Sequence, residues 1–475
     1  MRAPDDRRSS SHPFASRVAT VAASLTLAAG AFACGGGGGE PEPLPEDANC
    51  PALFTQDILP EYYVVLDDAE WAAMQDEFRH REEREAAGMD PTPYHPARLS
   101  YQTAGERIDD VPGVMIRLKG ASSWAQAVDL DANPKMQFVI AFNEIDKAGR
   151  FKGVRKVDLD MPRSDQSYLK QRLGLSALRM VGVPAQCANN ARLYINGSYY
   201  GLYTNLEHLD KEFLQDRFGD ADADGDLWKG GHEIKTNEDT VDFTRIDALW
   251  AANSVAELDR LADLDASMQE WASEVLIADV DGYYNGRANF FLYDHPSRGF
   301  IWLPHDLDTV LDADFMLPDA TPVFPACASR WEPDWKHYVM AMKDDGARAR
   351  YVDALRELRG RYDVAAMQER LDAWSAQIGP SAYEEPHELF TMDAHFGAVA
   401  RMRNYVQVRA DYVDEWLQCT EGGGAADADG DGVDMCHDCN DDDPAIHPGA
   451  AEACNLRDDD CDGAVDTVGG VNVCQ

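Results

Sequence analysis

The chain has 475 residues, of which 45% are hydrophobic and 9% aromatic, and its formal net charge at pH 7 is -42. Such a composition can build a sizeable core, which excludes a chain that is disordered throughout. The acidic charge argues against a nucleic-acid-binding protein, because binding to the phosphate backbone needs a basic surface.

The N-terminal residues have the composition of a bacterial export signal. Arginines precede an apolar stretch over residues 18–33, and small residues directly precede Cys34. The stretch is too short for a transmembrane helix and suits a signal-peptide core. We therefore predict a lipoprotein signal peptide over residues 1–33, with Cys34 acylated; plain secretion after cleavage is the alternative. Residues 34–54, rich in Gly and Pro, are predicted to be a flexible tether. The lipid anchor would place the protein in the cell envelope, at the outer membrane or the cell surface.

A globular domain is predicted over residues 55–418, and its first part is rich in strand patterns. Residues 62–66 form a short apolar run, and apolar and polar residues alternate over 114–119 and again over 136–142. These patterns predict strands, with one more over 154–159. Residues 70–87, charged with scattered apolar positions, predict a helix.

The middle of the chain adds two helices and a hairpin. Leucines at helical spacing predict a helix that starts near Ser164 or Asp165 and ends at Gly182. Residues 192–203 predict a hairpin around Asn196-Gly197, a pair that suits a two-residue turn in which both residues need positive φ. A second helix is expected over 207–218.

The second part of the domain is predicted to be mostly helical. An amphipathic helix over 268–280 stops at Asp281-Gly282, and two strands follow over 290–293 and 300–303. Residues from there to about 417 predict helices. A strand-rich first part followed by a helix-rich second part is typical of an α+β fold.

Polar residues at the ends of these elements form a constellation that suits phosphoryl transfer. Asp281 ends a helix, Asn289 precedes a strand, and Asp306 and Asp308 directly follow the hairpin. Protein kinases use a catalytic Asp, a metal-binding Asn and a second metal-binding Asp in this order, because Mg²⁺ prefers oxygen ligands. On spacing alone, turn and cap residues are the alternative interpretation.

Several ordered motifs in this chain resemble the spore coat protein H family, the CotH kinase-like proteins. They are residues 116–123, Lys135 at the start of a strand, residues 193–203 with Glu207, residues 289–293 and residues 303–308. The resemblance implies an atypical protein-kinase-like fold. It also implies a kinase that uses ATP and Mg²⁺ or Mn²⁺ to phosphorylate Ser or Thr of secreted, envelope or coat proteins.

The resemblance also assigns roles by position. Lys135 would hold the ATP phosphates, with Lys119 as its rival, and Asp281 would be the catalytic base, with Asp279 or Asn285 as alternatives. The remaining assignments are Asn289, Asp306 and Asp308 as metal ligands, Glu207 as the partner of a basic residue in the nucleotide site, and Arg117 as a phosphate contact. Two features depart from the family pattern: His305 replaces a Trp, and Asp281 lies farther from Asn289 than usual.

Residues 419–475 form an acidic tail that holds six of the ten cysteines. Carboxylates alternate with other residues at Asp427, Asp429 and Asp431, and Asp438 follows; such spacing lets several oxygens converge on one hard cation. The tail is similar to the MopE-like metal-binding repeat, which implies bound Ca²⁺, with cysteine-ligated zinc as the alternative. An exported chain favours disulfides, and Cys439 is expected to pair with Cys454 or Cys461.

Two functions follow from these features. The first is an extracytoplasmic CotH-type protein kinase. The second is a non-catalytic cell-surface adhesion or coat-assembly lipoprotein that uses the same fold with a calcium-stabilised tail.

Overall fold

The computed structural model describes residues 47–120, 135–163, 165–285, 289–324, 335–387, 390–422, 427–462, 465–468 and 471–474. All of them belong to one unit, Pro43–Gln475. The predicted signal peptide, the predicted acylation site Cys34, the candidate helix-capping residue Ser164 and the last part of the motif over residues 116–123 lie outside the described residues.

The largest of the described sheets has nine strands in the order β2-β5-β6-β7-β9-β8-β1-β3-β4. Strands β1 and β8 are parallel, and the other neighbours are antiparallel. The strands are β1 (Glu61–Val65), β2 (His95–Pro96), β3 (Arg98–Gln102), β4 (Arg107–Val111), β5 (Met115–Lys119), β6 (Gln137–Ala141), β7 (Lys156–Asp160), β8 (Ala188–Ile195) and β9 (Ser198–Glu207).

Alternation along β5 and β6 gives this sheet one apolar face and one polar face. Ile116 lies opposite Ile140, and Leu118 lies opposite Phe138, and all four are buried in one hydrophobic cluster. The intervening residues, including Lys119, point to the opposite face. The predicted alternation is therefore confirmed, and it places the charged residues of β5 and β7 on the same side.

The hairpin between β8 and β9 is confirmed. Asn196 has a φ of 50° and Gly197 a φ of 83°, as a two-residue turn with two positive φ values requires.

A second, four-stranded sheet has the order β11-β10-β12-β13. Its strands are β10 (Asp226–Lys229), β11 (Glu233–Ile234), β12 (Phe290–His295) and β13 (Gly299–Pro304). In β12 and β13, Phe290 lies opposite Pro304. Asn289, one residue before β12, is therefore at the same end of the hairpin as His305 and Asp306.

Helices dominate the second part of the domain, as expected for the α+β class. The helices are α1 (Asp68–Arg79), α2 (Arg81–Ala86), α3 (Lys170–Val181), α4 (Lys211–Phe218), α5 (Phe243–Ala251), α6 (Val255–Leu261), α7 (Leu264–Ile277), α8 (Lys336–Lys343), α9 (Asp345–Arg361), α10 (Val364–Tyr383) and α11 (Met392–Thr420). Helix α9 packs against α7, and α11 packs against α10. No helix among the described residues combines the length and apolarity needed to cross a membrane.

Two predicted helices differ from those observed. The single helix expected over 70–87 is broken at His80, whose φ of -122° is not helical. The helix expected from Glu207 begins at Lys211, because Glu207 is the last residue of β9 and the carboxylate of Asp210 accepts the N–H of Glu212 at 2.9 Å as a cap. Gly182 ends α3 with a φ of 96°, as predicted.

Four disulfides stabilise the described part of the chain. Cys50 pairs with Cys187 in the globular domain, and the tail contains Cys419–Cys436, Cys439–Cys461 and Cys454–Cys474. The second of the two expected partners of Cys439 is therefore the observed one. The tail also contains the short hairpin of β14 (Thr467–Val468) and β15 (Val471–Asn472).

Candidate functional site

Lys119 lies at the centre of an acidic cluster between the two sheets. Its ammonium nitrogen is 3.2 Å from Asp158 Oδ2 and 2.5 Å from Asp160 Oδ1. The charge of Asp306 also acts on Lys119. Asp158 and Asp160 are both on β7, two residues apart, so they share one face of the sheet. A lysine on β5 thus meets carboxylates from β7 and from the segment after β13.

The charges in this cluster shift one another's pKa. Burial, followed by the charges of Asp306 and Asp281, raises the pKa of Asp308 to about 8. Burial also raises the pKa of Asp160 to about 6, with Lys119 acting against it. Burial alone would raise the pKa of Asp158. The charges of His208 and Lys119 outweigh burial, so the pKa of Asp158 is lowered. The cluster therefore has more negative charge than Lys119 compensates, and it suits a divalent cation.

Glu274 of α7 fixes the backbone of the segment that carries Asp281. The two carboxylate oxygens of Glu274 accept the N–H groups of Tyr283, at 3.1 Å, and of Tyr284, at 2.7 Å. A Cβ at Gly282 would lie only 2.6 Å from the Glu274 carboxyl carbon, so this approach requires glycine.

Of the three residues considered as catalytic base, Asp281 is the accessible one. Asp279 and Asn285 are completely buried. Asp279 accepts the N–H of Asp281 at 3.1 Å, and Asn285 donates to the carbonyl of Val280 at 2.6 Å. Asp281 itself is partly exposed, and its charge acts on Asp308.

The predicted metal ligands converge at one end of the β12–β13 hairpin. Asn289 and Asp306 are partly exposed there, and Asp308 is two residues farther along the chain. Asp306 has a φ of 59°, in the left-handed region, which turns the chain directly after β13. The ring of His305 packs edge-on against that of Phe291, with 4.9 Å between the ring centres. Burial, then the charges of Lys229 and Lys119, lowers its pKa, so this histidine is neutral.

Lys135 lies in a different environment from Lys119. Its ammonium donates to the carbonyl of Leu202 at 2.6 Å and to Glu385 Oε2 at 2.8 Å. It also lies 4.5 Å from the ring centre of Tyr203. The side chain is completely buried, and burial lowers its pKa despite Glu385. The structure thus brings Lys119, rather than Lys135, to the acidic cluster.

Arg117 and Glu207 make their contacts outside the cluster, although the charge of Arg117 also acts on Asp158. The guanidinium of Arg117 lies 5.3 Å from the ring centre of Tyr94. Glu207 Oε2 accepts from Arg217 at 2.5 Å and from the N–H of Cys187 at 2.9 Å. Burial raises the pKa of Glu207 to about 7, with Arg217 acting against it. Glu207 does pair with a basic residue, but it does so beside the Cys50–Cys187 disulfide.

Sequence reasoning missed four residues of this site: Asp158, Asp160, Lys229 and Glu274. The two aspartates did carry a signal, because acids alternating with apolar residues inside a strand are unusual. Glu274 could be recognised only once its contact with residues 283 and 284 was known.

The tail gathers all four of its predicted ligands in two overlapping groups. Asp427 and Asp429 group with Asp441, and Asp429 and Asp431 group with Asp438, with ligand atoms within 4.8 Å of one another. In each of Asp429, Asp431 and Asp438, the buried Oδ2 atom has no hydrogen-bond partner among the residues that the structure describes. Burial, together with neighbouring carboxylates, raises the pKa of Asp438 to about 6. These features fit an oxygen-ligated cation.

Cysteine-ligated zinc is not supported in this tail. Every tail cysteine within the described residues is in a disulfide, so none offers a thiolate to zinc. A further group of carboxylates, Glu452, Asp458 and Asp460, lies within the same tail.

Comparison with known proteins relates both parts of the chain to described families. A family model described as CotH kinase protein matches residues 116–413, more than half of the chain. A model of the MopE metal-binding motif, whose name specifies copper, matches residues 438–467.

Two individual proteins are also similar. The inner spore coat protein H of Bacillus subtilis (strain 168) is 26% identical over 191 residues, which cover 34% of this chain and 52% of that protein. The chain thus spans about half the length of this curated relative. The crystal structure of the Helicobacter pylori proinflammatory kinase CtkA aligns with a TM-score of 0.34 and 9% identity, over 60% of this chain and 95% of that one. That score is too low to support an inference.

Proposed function

This chain belongs to the CotH kinase family, and from that premise we propose that it is an extracytoplasmic protein kinase. It would transfer the γ-phosphoryl group of ATP to Ser or Thr of envelope or coat proteins, with Mg²⁺ or Mn²⁺. The observation that carries the proposal is the acidic cluster, in which aspartates from separate elements meet around Lys119.

The residues present fit a divalent metal. Asp306, Asp308 and Asn289 would hold it, because all three offer oxygen ligands and lie at one end of the hairpin. Burial and the charges of Asp306 and Asp281 raise the pKa of Asp308 to about 8, and a cation would relieve this repulsion. When bound, the metal would neutralise the negative charge of the phosphate groups during transfer.

The side chains of this chain supply the proton transfer and the positioning. The acceptor hydroxyl oxygen attacks the γ-phosphorus, and its proton moves to the carboxylate of Asp281. The bond to the β–γ bridging oxygen breaks, and ADP leaves with that oxygen and its electron pair. Glu274 keeps the Asp281 segment in place through the N–H groups of Tyr283 and Tyr284.

The cellular setting of the proposal comes from the N-terminus and from the relative. We propose that the export signal brings the protein to the envelope and that a lipid on Cys34 anchors it there. A spore coat relative supports coat or envelope proteins as substrates. Comparing membrane extraction of the full chain and of a Cys34→Ser variant tests the anchor.

For the tail we propose bound Ca²⁺. The candidate ligand atoms are carboxylate oxygens, which suit Ca²⁺ better than copper. Three of the aspartates have a buried oxygen that lacks a hydrogen-bond partner within the described part of the tail. Calorimetric titration with Ca²⁺ and with Cu²⁺ separates the two ions, and tighter binding of Cu²⁺ would contradict the assignment.

The second candidate function is a non-catalytic surface module. Two features favour it: His305 stands where the family resemblance implies a Trp, beside the predicted metal ligands, and the tail carries its own groups of candidate metal ligands. The two functions differ in one assay: a kinase transfers label from ATP to itself or to an envelope protein, and Asp306→Ala abolishes the transfer. A surface module shows no transfer, and its adhesion or assembly depends on the tail and on Ca²⁺ but not on Asp306.

A further inference from the structure

Lys229 lies near the acidic cluster, although none of the motifs found in the sequence includes it. It is the last residue of β10 and lies opposite Phe291 of β12, which in turn lies opposite Leu303 of β13. Residues opposite each other in a sheet share a face, so Lys229 is on the face that His305 continues past the end of β13. The rings of Phe291 and His305 are in contact, with 4.9 Å between their centres. This face therefore extends to the end of the hairpin that carries the predicted metal ligands.

The two lysines that the sequence offered for the nucleotide site are already engaged. Lys119 lies within 3.2 Å of two carboxylates, and Lys135 is completely buried against Glu385. Lys229, by contrast, is exposed, and its ammonium has no hydrogen-bond or ion-pair partner among the described residues. An exposed ammonium near several carboxylates can contact an anion that arrives with its own metal.

The electrostatics agree with this placement. Desolvation by the surrounding protein, followed by the like charge of Lys119, lowers the pKa of Lys229. The charge of Asp306 acts in the opposite direction. Lys229 therefore lies close enough to both the central lysine and a predicted metal ligand to interact with them. Lys119 is on the nine-stranded sheet, whereas Lys229 is on the four-stranded sheet and Asp306 follows that sheet's last strand, β13.

We propose that Lys229 contacts the phosphate groups of the bound nucleotide from the four-stranded sheet, opposite Lys119. This inference rests on the proposed kinase function for the identity of the nucleotide, but the chemistry that Lys229 recognises is a metal-bound polyphosphate. Lys119 then acts mainly by fixing Asp158 and Asp160, and Lys135 by joining the sheet to Glu385.

The test is calorimetric binding to the mature chain of three probes with Mn²⁺ present: ATP, inorganic tripolyphosphate and adenosine. Lys229→Ala should weaken ATP and tripolyphosphate by about tenfold or more, the effect of losing one charge-assisted contact, and should leave adenosine unchanged. Lys229→Arg should retain most of the affinity. Lys147→Ala, which removes an exposed lysine elsewhere, is the matched control and should bind as the parent does.

The outcomes separate this inference from the proposed function. If the parent and Lys229→Ala bind ATP equally well, the inference is wrong and the kinase proposal stands. If the parent binds tripolyphosphate but not ATP, and Lys229→Ala weakens that binding, the phosphate contact is supported and the kinase proposal is not. If the parent binds neither probe, both are overturned.

Discussion

The ammonium of Lys135 lies 2.8 Å from the carboxylate of Glu385, although the two residues are 250 positions apart. Both side chains are almost completely buried. Glu385 follows α10, so the pair joins the nine-stranded sheet to the helical part of the domain. A Cβ at Gly201 would lie 2.8 Å from Glu385 Oε1 and 2.9 Å from the ammonium of Lys135, so glycine is needed where β9 passes the pair.

Removing one partner of this pair should be strongly destabilising. Lys135→Met leaves the Glu385 charge buried and unpaired, which should lower the free energy of unfolding by about 3–5 kcal/mol. The double variant Lys135→Met/Glu385→Leu removes both charges and should recover most of the loss. Urea unfolding of the parent, both single variants and the double variant gives the coupling energy. Simple addition of the two single losses would contradict a direct interaction.

Metal affinity at the cluster should rise with pH. Burial and neighbouring carboxylates raise the pKa of Asp308 to about 8, so below that pH a proton must leave before a metal binds. Mn²⁺ affinity should therefore increase from pH 6 to 8, by up to about tenfold per pH unit, and level off above it. Mn²⁺ titrations at several pH values test this.

The matched variant for the pH effect is Asp308→Asn. Because it cannot lose a proton, its weaker Mn²⁺ binding should change little over the same pH range. Asp239→Asn, at an exposed aspartate, should retain the dependence of the parent. Mn²⁺ affinity that is independent of pH in the parent would show that Asp308 is not a ligand.

The tail should depend on its cation for stability. Ca²⁺ at 100 times its Kd should add about 2.7 kcal/mol to the stability of the structure that binds it, so EGTA should lower the melting temperature. Asp438→Asn should weaken Ca²⁺ binding, because the buried Asp438 shares one site with Asp429 and Asp431. A melting temperature that does not respond to Ca²⁺ or EGTA would contradict a stabilising calcium site.

The Cys50–Cys187 disulfide closes a loop with a sequence separation of 137 residues. The chain-entropy model gives about 5 kcal/mol for a loop of that length. The double variant Cys50→Ser/Cys187→Ser should therefore unfold at much lower urea concentration than the parent. An unchanged unfolding midpoint would show that local contacts, such as the Glu207–Arg217 pair beside this disulfide, suffice to hold the region.

Local features of the fold were predictable from the sequence. Alternation located β5 and β6, the Asn196-Gly197 turn was recognised from its two residues, and Gly182 marked the end of α3. Each depends on residues that are neighbours in the chain. The helix from Glu207 was misplaced by four residues because β9 extends through Glu207, and strand pairing overrides a helical pattern.

The composition of the site was less predictable, because it depends on contacts between distant segments. The position of Asp306 after the hairpin was visible in the sequence, but Lys119 and Asp158 are 39 residues apart and meet only through the sheet. Likewise, nothing in the sequence indicated that Glu385 engages Lys135. In the tail, the alternating carboxylates indicated the candidate cation site, whereas two of its three disulfide pairings had no prediction and the third, that of Cys439, was narrowed only to two partners.

The most direct test of the central claim is an autophosphorylation assay on residues 35–475, which retain the Cys50–Cys187 disulfide, with labelled ATP and Mn²⁺ or Mg²⁺. Asp306→Ala and Asp281→Ala are run beside the parent, with Asp239→Ala as the control, and folding of each protein is checked by its melting temperature. We expect label on the parent and on the control, and none on the two site variants. A folded, metal-loaded parent that takes up no label, or site variants labelled as strongly as the parent, would contradict the kinase assignment.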